Sequence, residues 1–356
     1  MKENLLGKTV TELEALATSM GEFRFRGRQL YVAMYRKRVF DLDQMTDQSK
    51  NFRRRLAESN EVRPPQLDRK FVSSDGTIRM LFRLDDGKFA EAVSIPERRR
   101  HTICISSQVG CGVDCKFCMT ARLGFVRNLT PDEIIGQILT AQHEGMLPER
   151  GVNVVLMGMG EPLHNYRNVV TAIELMSDPD GMAIPLRKIT LSTAGVVPLM
   201  KRLFTEKAIP NLAVSLNAPN EELRSELMPI NERWSLQELL DTCRQLPLRH
   251  RQRITFEYVL IGNLNDAPSQ AAQLARHLEG LRCRVNLIPW NPAPEIPYSA
   301  PTPEAVDLFQ RVLRENGVMA FLRKPRGQDI SAACGQLATR AAGGNDAPPL
   351  EHLRTA

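Results

Sequence analysis

The alternation of apolar, β-branched runs with amphipathic helical runs, which begins at about residue 101, constrains the fold more than any other feature of the sequence. The predicted strands are 102–106, 152–157, 188–192, 212–216, 253–260 and 284–288. The predicted helices between them include 131–143, 167–176, 236–245 and 270–278, and a last helix and strand comprise 303–315 and 318–322. Six strand–helix units predict an α/β fold whose parallel sheet curls into a partial (β/α)6 barrel. Reactive groups are then expected at the carboxyl ends of the strands.

The composition divides the chain into four predicted segments. The sequence pattern predicts a small helical domain at residues 1–66 and a β-rich linker or extension at residues 67–100. It predicts the barrel, together with a C-terminal loop that carries Cys334, at residues 101–342, and a tail at residues 343–356. The helices expected in the first segment are 11–20, 27–38 and 47–60.

Charge and hydropathy favour a cytoplasmic protein that contacts phosphates. Residues 1–66 hold 13 basic and 9 acidic side chains, so they carry four of the six surplus positive charges of the whole chain. This composition suits a nucleic-acid backbone, and a solvated basic face accounts for it equally well. The sequence has no apolar run of bilayer-spanning length, and its N-terminus lacks the apolar core of a signal peptide. We therefore expect no membrane contact.

Cys111, Cys115 and Cys118 form a C-x3-C-x2-C motif directly after a predicted strand. Three thiolates this close in sequence are typical of a metal site. Structural zinc normally takes four protein ligands, and no fourth cysteine or histidine stands nearby at zinc-finger spacing. A 4Fe-4S cluster can leave one iron without a protein ligand. The motif therefore favours an iron–sulfur cluster, with structural zinc and reduced structural thiols as the alternatives.

This motif resembles the C-x3-C-x-aromatic-C hallmark of the radical S-adenosylmethionine superfamily, with Phe117 at the aromatic position. The superfamily also has a glycine-rich turn after its second strand, which residues 158–162 match. The resemblance implies that S-adenosylmethionine chelates the open iron of one 4Fe-4S cluster. One electron from the cluster then splits the sulfonium to a 5′-deoxyadenosyl radical.

Four segments narrow the resemblance to one family. They are 106–111, 157–162, 287–292 and 329–336, and they are similar to those of the RlmN adenine methyltransferases. That family carries a small helix-hairpin-helix-like N-terminal domain for RNA, which residues 1–66 fit. The resemblance implies methylation of carbon 2 of adenosine 2503 in 23S ribosomal RNA and of adenosine 37 in transfer RNAs. It also implies two S-adenosylmethionine molecules per turnover, one for the methyl group and one for the radical.

The family resemblance implies roles for individual residues. Cys334 matches the methyl-carrying cysteine, and Cys104 matches the cysteine that resolves a protein–RNA crosslink through a transient disulfide with Cys334. Glu91 matches the family's acceptor of the carbon-2 proton. The implied S-adenosylmethionine contacts are Gly160, Glu161, Ser192, Ser215, Leu216, Asn217 and Asn291. Asn217 stands where the family usually has histidine, so this side chain can exchange hydrogen bonds but cannot become charged.

The expected partners follow from the same resemblance. They are an assembly precursor containing 23S ribosomal RNA, transfer RNA and a reducing electron donor, and we expect the protein to be a monomer. A carbon-8 adenine methyltransferase of the Cfr kind is the alternative enzyme. A noncatalytic RNA-binding protein with a structural metal is the alternative from another class.

Overall fold

The computed structural model describes residues 2–98, 100–293 and 296–337. Its strands are β1 (Glu3–Asn4), β2 (Asn60–Glu61), β3 (Gln66–Val72), β4 (Ile78–Arg83), β5 (Phe89–Glu97), β6 (Arg100–Cys104), β7 (Gln108–Gly110), β8 (Phe125–Asn128), β9 (Val152–Leu156), β10 (Ile189–Thr193), β11 (Asn211–Ser215), β12 (Ile254–Leu260), β13 (Cys283–Pro289) and β14 (Ala320–Leu322). The predicted tail at 343–356 lies outside the described residues.

The α-helices are α1 (Val10–Ser19), α2 (Phe25–Tyr31), α3 (Lys50–Ser59), α4 (Met119–Arg122), α5 (Pro131–His143), α6 (Tyr166–Ser177), α7 (Val197–Leu203), α8 (Glu221–Leu227), α9 (Leu236–Gln245), α10 (Pro268–Leu278) and α11 (Pro303–Glu315). The predicted helix 27–38 divides into α2 and a π-helical turn at Val32–Arg36. Among the helices of the described residues, none has the length and apolar character needed to cross a bilayer.

A mixed sheet organises the described part of the chain. Its strand order is β14-β13-β12-β11-β10-β9-β6-β5-β4-β3. The strands from β14 to β6 are parallel, and β5, β4 and β3 continue the sheet in antiparallel hairpins. The partial α/β barrel predicted from the sequence is confirmed. The strands of the predicted extension, residues 67–100, belong to the same sheet as the barrel strands.

The N-terminal helices pack against the outer helices of the barrel. Asn4 Nδ2 donates a hydrogen bond to Asp132 Oδ2 at 3.1 Å, and Tyr31 Oη donates to Asp178 Oδ2 at 3.0 Å. At Gly136 in α5, an added Cβ would lie 2.2 Å from Cδ of Pro65. The segment that links the N-terminal helices to the sheet therefore crosses α5 so closely that only glycine fits. Buried side chains of both regions form one continuous apolar core.

Helix capping fixes where α5 begins, just beyond the β7–β8 hairpin. Thr130 and Glu133 form a capping box, in which the Thr130 N–H donates to Glu133 Oε2 at 2.9 Å. The guanidinium of Arg127, in β8, donates to both oxygens of Glu133 at 2.7 and 2.8 Å. This two-pronged contact anchors the hairpin, and with it the neighbouring cysteine motif, to the barrel.

Candidate active site

The three-cysteine loop leaves β7 and returns through α4 and β8. At Gly110, φ is +73° and an added Cβ would lie 1.8 Å from the carbonyl oxygen of Gly124, so the loop must begin with glycine. The Cys111 N–H donates to the Gly124 carbonyl at 2.9 Å, and the Lys116 N–H donates to the Leu227 carbonyl at 2.9 Å. The backbone thus holds the loop to its own hairpin and to the end of α8.

The thiols of this loop face a cavity at the carboxyl ends of the parallel strands. Cys111, Cys115 and Cys118 all line it and are partly buried. Burial raises the pKa of Cys111 to about 12 and that of Cys115 well above its ordinary value. These two thiols are therefore protonated unless a cation stabilises their thiolates. This soft, cation-requiring donor set fits an iron–sulfur cluster.

A 4Fe-4S cluster and a single metal ion place different demands on these thiols. Within the described residues, no group of three or more His, Cys, Asp or Glu side chains is close enough to hold one metal ion. A cluster binds each thiolate through a different iron, so its ligands stand farther apart than those of a single zinc. Cys111, Cys115 and Cys118 supply three thiolates, the number a 4Fe-4S cluster takes when one iron is left to another ligand.

The glycine-rich turn after β9 forms the next part of the wall. Gly160 has φ of +99°, and Glu161 directly follows it. Glu161 is buried, and its carboxylate accepts hydrogen bonds from the N–H groups of Leu163 at 3.0 Å and Ala194 at 2.7 Å. Burial nevertheless raises the pKa of Glu161 to about 7. A cationic group in the cavity would favour its ionised form.

The ends of β10 and β11 contribute polar side chains to the same cavity. Ser192, Ser215 and Asn217 line it. Asn217 has φ of +58°, a conformation that asparagine tolerates better than most residues. Its Oδ1 accepts a hydrogen bond from the Val259 N–H at 2.9 Å, which fixes the side chain against β12.

Leu216 and Asn291 are placed differently from the other predicted cofactor contacts. Both are buried, and neither is among the described residues that line the cavity. The Leu216 N–H donates to the Glu257 carbonyl at 2.9 Å, and Asn291 Oδ1 accepts a hydrogen bond from Gln328 Nε2 at 2.8 Å. Their contacts with S-adenosylmethionine remain predictions.

Cys334 faces the cavity from a C-terminal loop that is tied to the cysteine motif. The Met119 N–H donates to the Gly335 carbonyl at 2.7 Å, and Thr120 Oγ1 donates to the Leu337 carbonyl at 2.7 Å. The Cys334 side chain is accessible because it opens into the cavity, although protein surrounds it on the other sides. This loop therefore brings the Cys334 thiol to the wall that holds the motif.

Cys104, at the end of β6, lies beside this loop. It packs against an apolar cluster that includes Val93 and Ala332. Burial is the main cause that raises the pKa of Cys104 to about 12, and the neighbouring Cys334 contributes. No disulfide joins the described cysteines, so the predicted Cys104–Cys334 disulfide stays a prediction.

Glu91 lies on β5, two residues before Val93, which pairs with Cys104. Its side chain is buried, and Oε2 lies 3.7 Å from Nη1 of Arg79. Because alternate residues of a strand share a face, Glu91 and Cys104 project from the same side of the sheet. Glu91 is not among the described residues that line the cavity.

Three further residues belong to this site and were not identified from the sequence. Glu257 lines the cavity from the middle of β12, and Trp290 lines it from the end of β13, where Nε1 donates to the Phe117 carbonyl at 3.0 Å. Arg224 is completely buried, and Nη2 donates to the Ala194 carbonyl at 2.7 Å. The one signal in the sequence was a glutamate inside the otherwise apolar strand at 254–260.

Comparison with known proteins identifies a family for this constellation. Residues 105–275 match the model of the radical SAM superfamily, and residues 3–62 match that of the ribosomal RNA large subunit methyltransferase N-terminal domain. A dual-specificity RNA methyltransferase RlmN from Desulfotalea psychrophila is 44% identical over 349 residues, covering 95% of each chain. A probable enzyme of the same name from Koribacter versatilis is 46% identical over 337 residues, covering 89% of this chain and 96% of its own.

One solved structure is similar over nearly the whole chain. The radical SAM methyltransferase from Sphaerobacter thermophilus has a TM-score of 0.90 and 42% sequence identity, covering 96% of this chain and 100% of its own. The superfamily match implies a 4Fe-4S cluster and S-adenosylmethionine as cofactors, and the cavity thiols fit that pair.

Proposed function

This chain belongs to the RlmN family of radical SAM methyltransferases, and we propose that it methylates carbon 2 of adenosine 2503 in 23S ribosomal RNA and of adenosine 37 in transfer RNAs. One observation carries the proposal. The loop of Cys334 is hydrogen-bonded to the segment that follows the cysteine motif, and Cys334 lines the same cavity as the three motif thiols.

The chemistry of the target carbon explains why such a thiol is needed. Carbon 2 of adenine lies between two ring nitrogens and is electron-poor, so it cannot attack a sulfonium methyl as a nucleophile. A carbon radical can add to it. The bound cluster and S-adenosylmethionine supply the methyl group and the radical that abstracts hydrogen. Cys334 carries the methyl group, because a thiolate accepts it readily and sulfur stabilises the carbon radical formed from it.

The other residues then act in sequence. The radical on the Cys334 methyl group adds to carbon 2, and Glu91 takes the proton from that carbon. The unpaired electron left on the adduct would pass to the oxidised cluster, which Cys111, Cys115 and Cys118 would hold. Cys104 attacks the sulfur of Cys334, and the bond between that sulfur and the transferred carbon breaks with its electron pair going to the carbon. That carbon takes up the proton that the Cys104 thiol gives up, and the methylated base leaves. The resulting disulfide is reduced by the cytosolic thiol pool.

The predicted cofactor contacts also form part of the proposal. Glu161 is buried, and burial raises the pKa of its carboxyl group. The ammonium group of S-adenosylmethionine would lower that pKa and so stabilise the charged carboxylate. Ser192, Ser215 and Asn217 offer hydrogen bonds from the ends of neighbouring strands. The backbone of Gly160 approaches the ligand without a side chain, and Leu216 and Asn291 complete the set.

The proposed substrate is RNA in an assembly precursor, because carbon 2 of an adenine inside a finished ribosome would be out of reach. Residues 1–66 supply RNA contacts, and an external reductant supplies electrons. Activity on free 23S ribosomal RNA but not on intact large subunits is the expected result. Mass spectrometry of the digested product separates carbon-2 methylation from the carbon-8 alternative of the Cfr kind.

Trapping the crosslink tests the order of steps. Cys104→Ala should accumulate a covalent RNA–protein adduct through Cys334, because the thiol that resolves it is gone. Cys243→Ala is the matched control, since Cys243 is a buried cysteine in α9 that lies outside the cavity lining. Uncrosslinked Cys104→Ala protein with normal product release would contradict the mechanism. Absence of 5′-deoxyadenosine from the reduced, anaerobic enzyme would leave only the noncatalytic RNA-binding alternative.

A further inference from the structure

Glu257 is a buried carboxyl group in the middle of β12 that the proposed mechanism does not use. It pairs with Ser215 of β11 and with Asn286 of β13 in the parallel register. Because paired residues of parallel strands project from the same face, the three side chains point to the concave side of the sheet. The Glu257 side chain is only 5% exposed and forms part of the wall of the cavity that Cys334 also lines.

The hydrogen bonding of Glu257 is incomplete. Its Oε1 accepts a hydrogen bond from Asn286 Nδ2 at 2.9 Å. Its Oε2 is buried and has no hydrogen-bond partner among the described residues. A buried polar atom without a partner is costly, and such atoms in native proteins commonly await a ligand. Glu257 lines the cavity, so its carboxyl group is available to a ligand bound there.

The surroundings of Glu257 favour its protonated form. Burial raises the pKa of this carboxyl, and it outweighs the opposing effects of Arg323, the Asn286 amide and Arg284. Cys334 is a titratable group close enough to interact with it, Glu161 and the motif cysteines line the same cavity, and Ser215 on β11 carries no charge. A protonated carboxyl offers one O–H donor and one carbonyl acceptor side by side.

We propose that Glu257 binds the N1 and N6 edge of the target adenine, an inference that rests on the proposed function. That edge presents an acceptor at N1 and a donor at the N6 amino group, which complement a neutral carboxyl. Carbon 2 is bonded directly to N1. A group that reads N1 and N6 therefore holds carbon 2 within the cavity that the methyl-carrying Cys334 faces.

Base analogues test this recognition. RNA carrying purine riboside at the target position lacks the N6 amino group but retains carbon 2 and N1. The wild-type enzyme should methylate it with kcat/KM reduced about tenfold or more, the factor that corresponds to one buried hydrogen bond. Glu257→Ala should lose this preference and treat adenosine and purine riboside alike. Glu222→Gln, on the exposed face of α8, is the control and should keep the wild-type preference.

Glu257→Gln separates recognition from proton transfer. The amide retains a donor and an acceptor, so it should keep most of the preference for adenosine. The KM for RNA should rise with pH in the wild type, as the carboxyl ionises and loses its donor, and should stay constant in Glu257→Gln. A Glu257→Gln enzyme as inactive as Glu257→Ala would overturn the proposal in favour of a catalytic base.

Two measurements separate this proposal from the proposed function. Purified Glu257→Ala should still carry the methyl group on Cys334 by mass spectrometry, because the proposed methyl transfer from S-adenosylmethionine to Cys334 does not involve RNA. Missing methylation in the wild type as well would refute the proposed function instead. If Glu257→Ala weakens S-adenosylmethionine binding in calorimetry while the adenosine preference persists, Glu257 serves the cofactor and the proposal is wrong. A wild-type enzyme that does not distinguish purine riboside from adenosine also refutes it, whether or not any variant folds.

Discussion

Replacing Gly160 by alanine should destabilise the protein through a defined steric conflict. Gly160 has φ of +99°, which disfavours any residue with a Cβ by about 1–2 kcal/mol. The added Cβ would also lie 2.5 Å from Cβ and 2.9 Å from the backbone N of Gln108. Because Gln108 begins β7, the strand or the turn must move, at an overpacking cost of about 1–3 kcal/mol. The expected total is about 2–5 kcal/mol.

Gly87→Ala is the matched control for this prediction. Gly87 has φ of +77°, and no heavy atom lies within 4 Å of its added Cβ, so only the backbone cost of about 1–2 kcal/mol applies. Urea unfolding of the cluster-free proteins, followed by tryptophan fluorescence, gives both free energies of unfolding. Gly160→Ala should also weaken S-adenosylmethionine binding, because Gln108 Oε1 accepts the Glu161 N–H at 2.9 Å. Equal destabilisation of the two variants would refute the steric argument.

Three other predictions concern stability. In the cluster-free protein, burial raises the pKa of Glu161 from 4.5 to about 7, so the folded state holds a proton that the unfolded state releases. The free energy of unfolding should therefore fall by about 3 kcal/mol as pH rises from 4.5 to 7. Urea titrations of Glu161→Gln should no longer show this dependence on pH. Asn217→Ala should cost about 1–2 kcal/mol by urea unfolding, because the half-buried Val259 N–H loses its acceptor. Thr9→Ala should lower stability by about 1 kcal/mol in the same assay, because Thr9 caps α1.

Local pattern was enough to predict the barrel, and it could not predict which strands pair. The predicted helices at 131–143, 236–245 and 303–315 coincide with α5, α9 and α11, because helical spacing and capping act within a few residues. Residues 67–100 were predicted to form a β-rich linker or extension. Their strands extend the barrel sheet, because β5 pairs with β6. The composition of a strand does not reveal which other strand it pairs with.

The same distinction separates the site residues that were predicted from those that were missed. The spacing of the cysteine motif is a property of one loop, so three thiols could be predicted to converge. Glu257 belongs to the site only because β12 lies between β11 and β13 and turns this residue inward. A charged residue in an apolar strand signals an unusual environment, but it does not say which other groups share that environment.

The position of Cys334 depends on contacts that no local pattern contains. Its loop is held by the hydrogen bonds from Met119 and Thr120, which cross more than 200 residues of sequence, and by Gln336 Nε2, which donates to the Pro292 carbonyl at 2.9 Å. Ser331 and Gly335 adopt positive φ on either side of the cysteine, so the backbone shape of the loop is also special. These bonds engage the residues flanking Cys334 and leave its side chain open to the cavity. A thiol that must first accept a carbon and then release it needs this combination of a fixed backbone and an accessible sulfur.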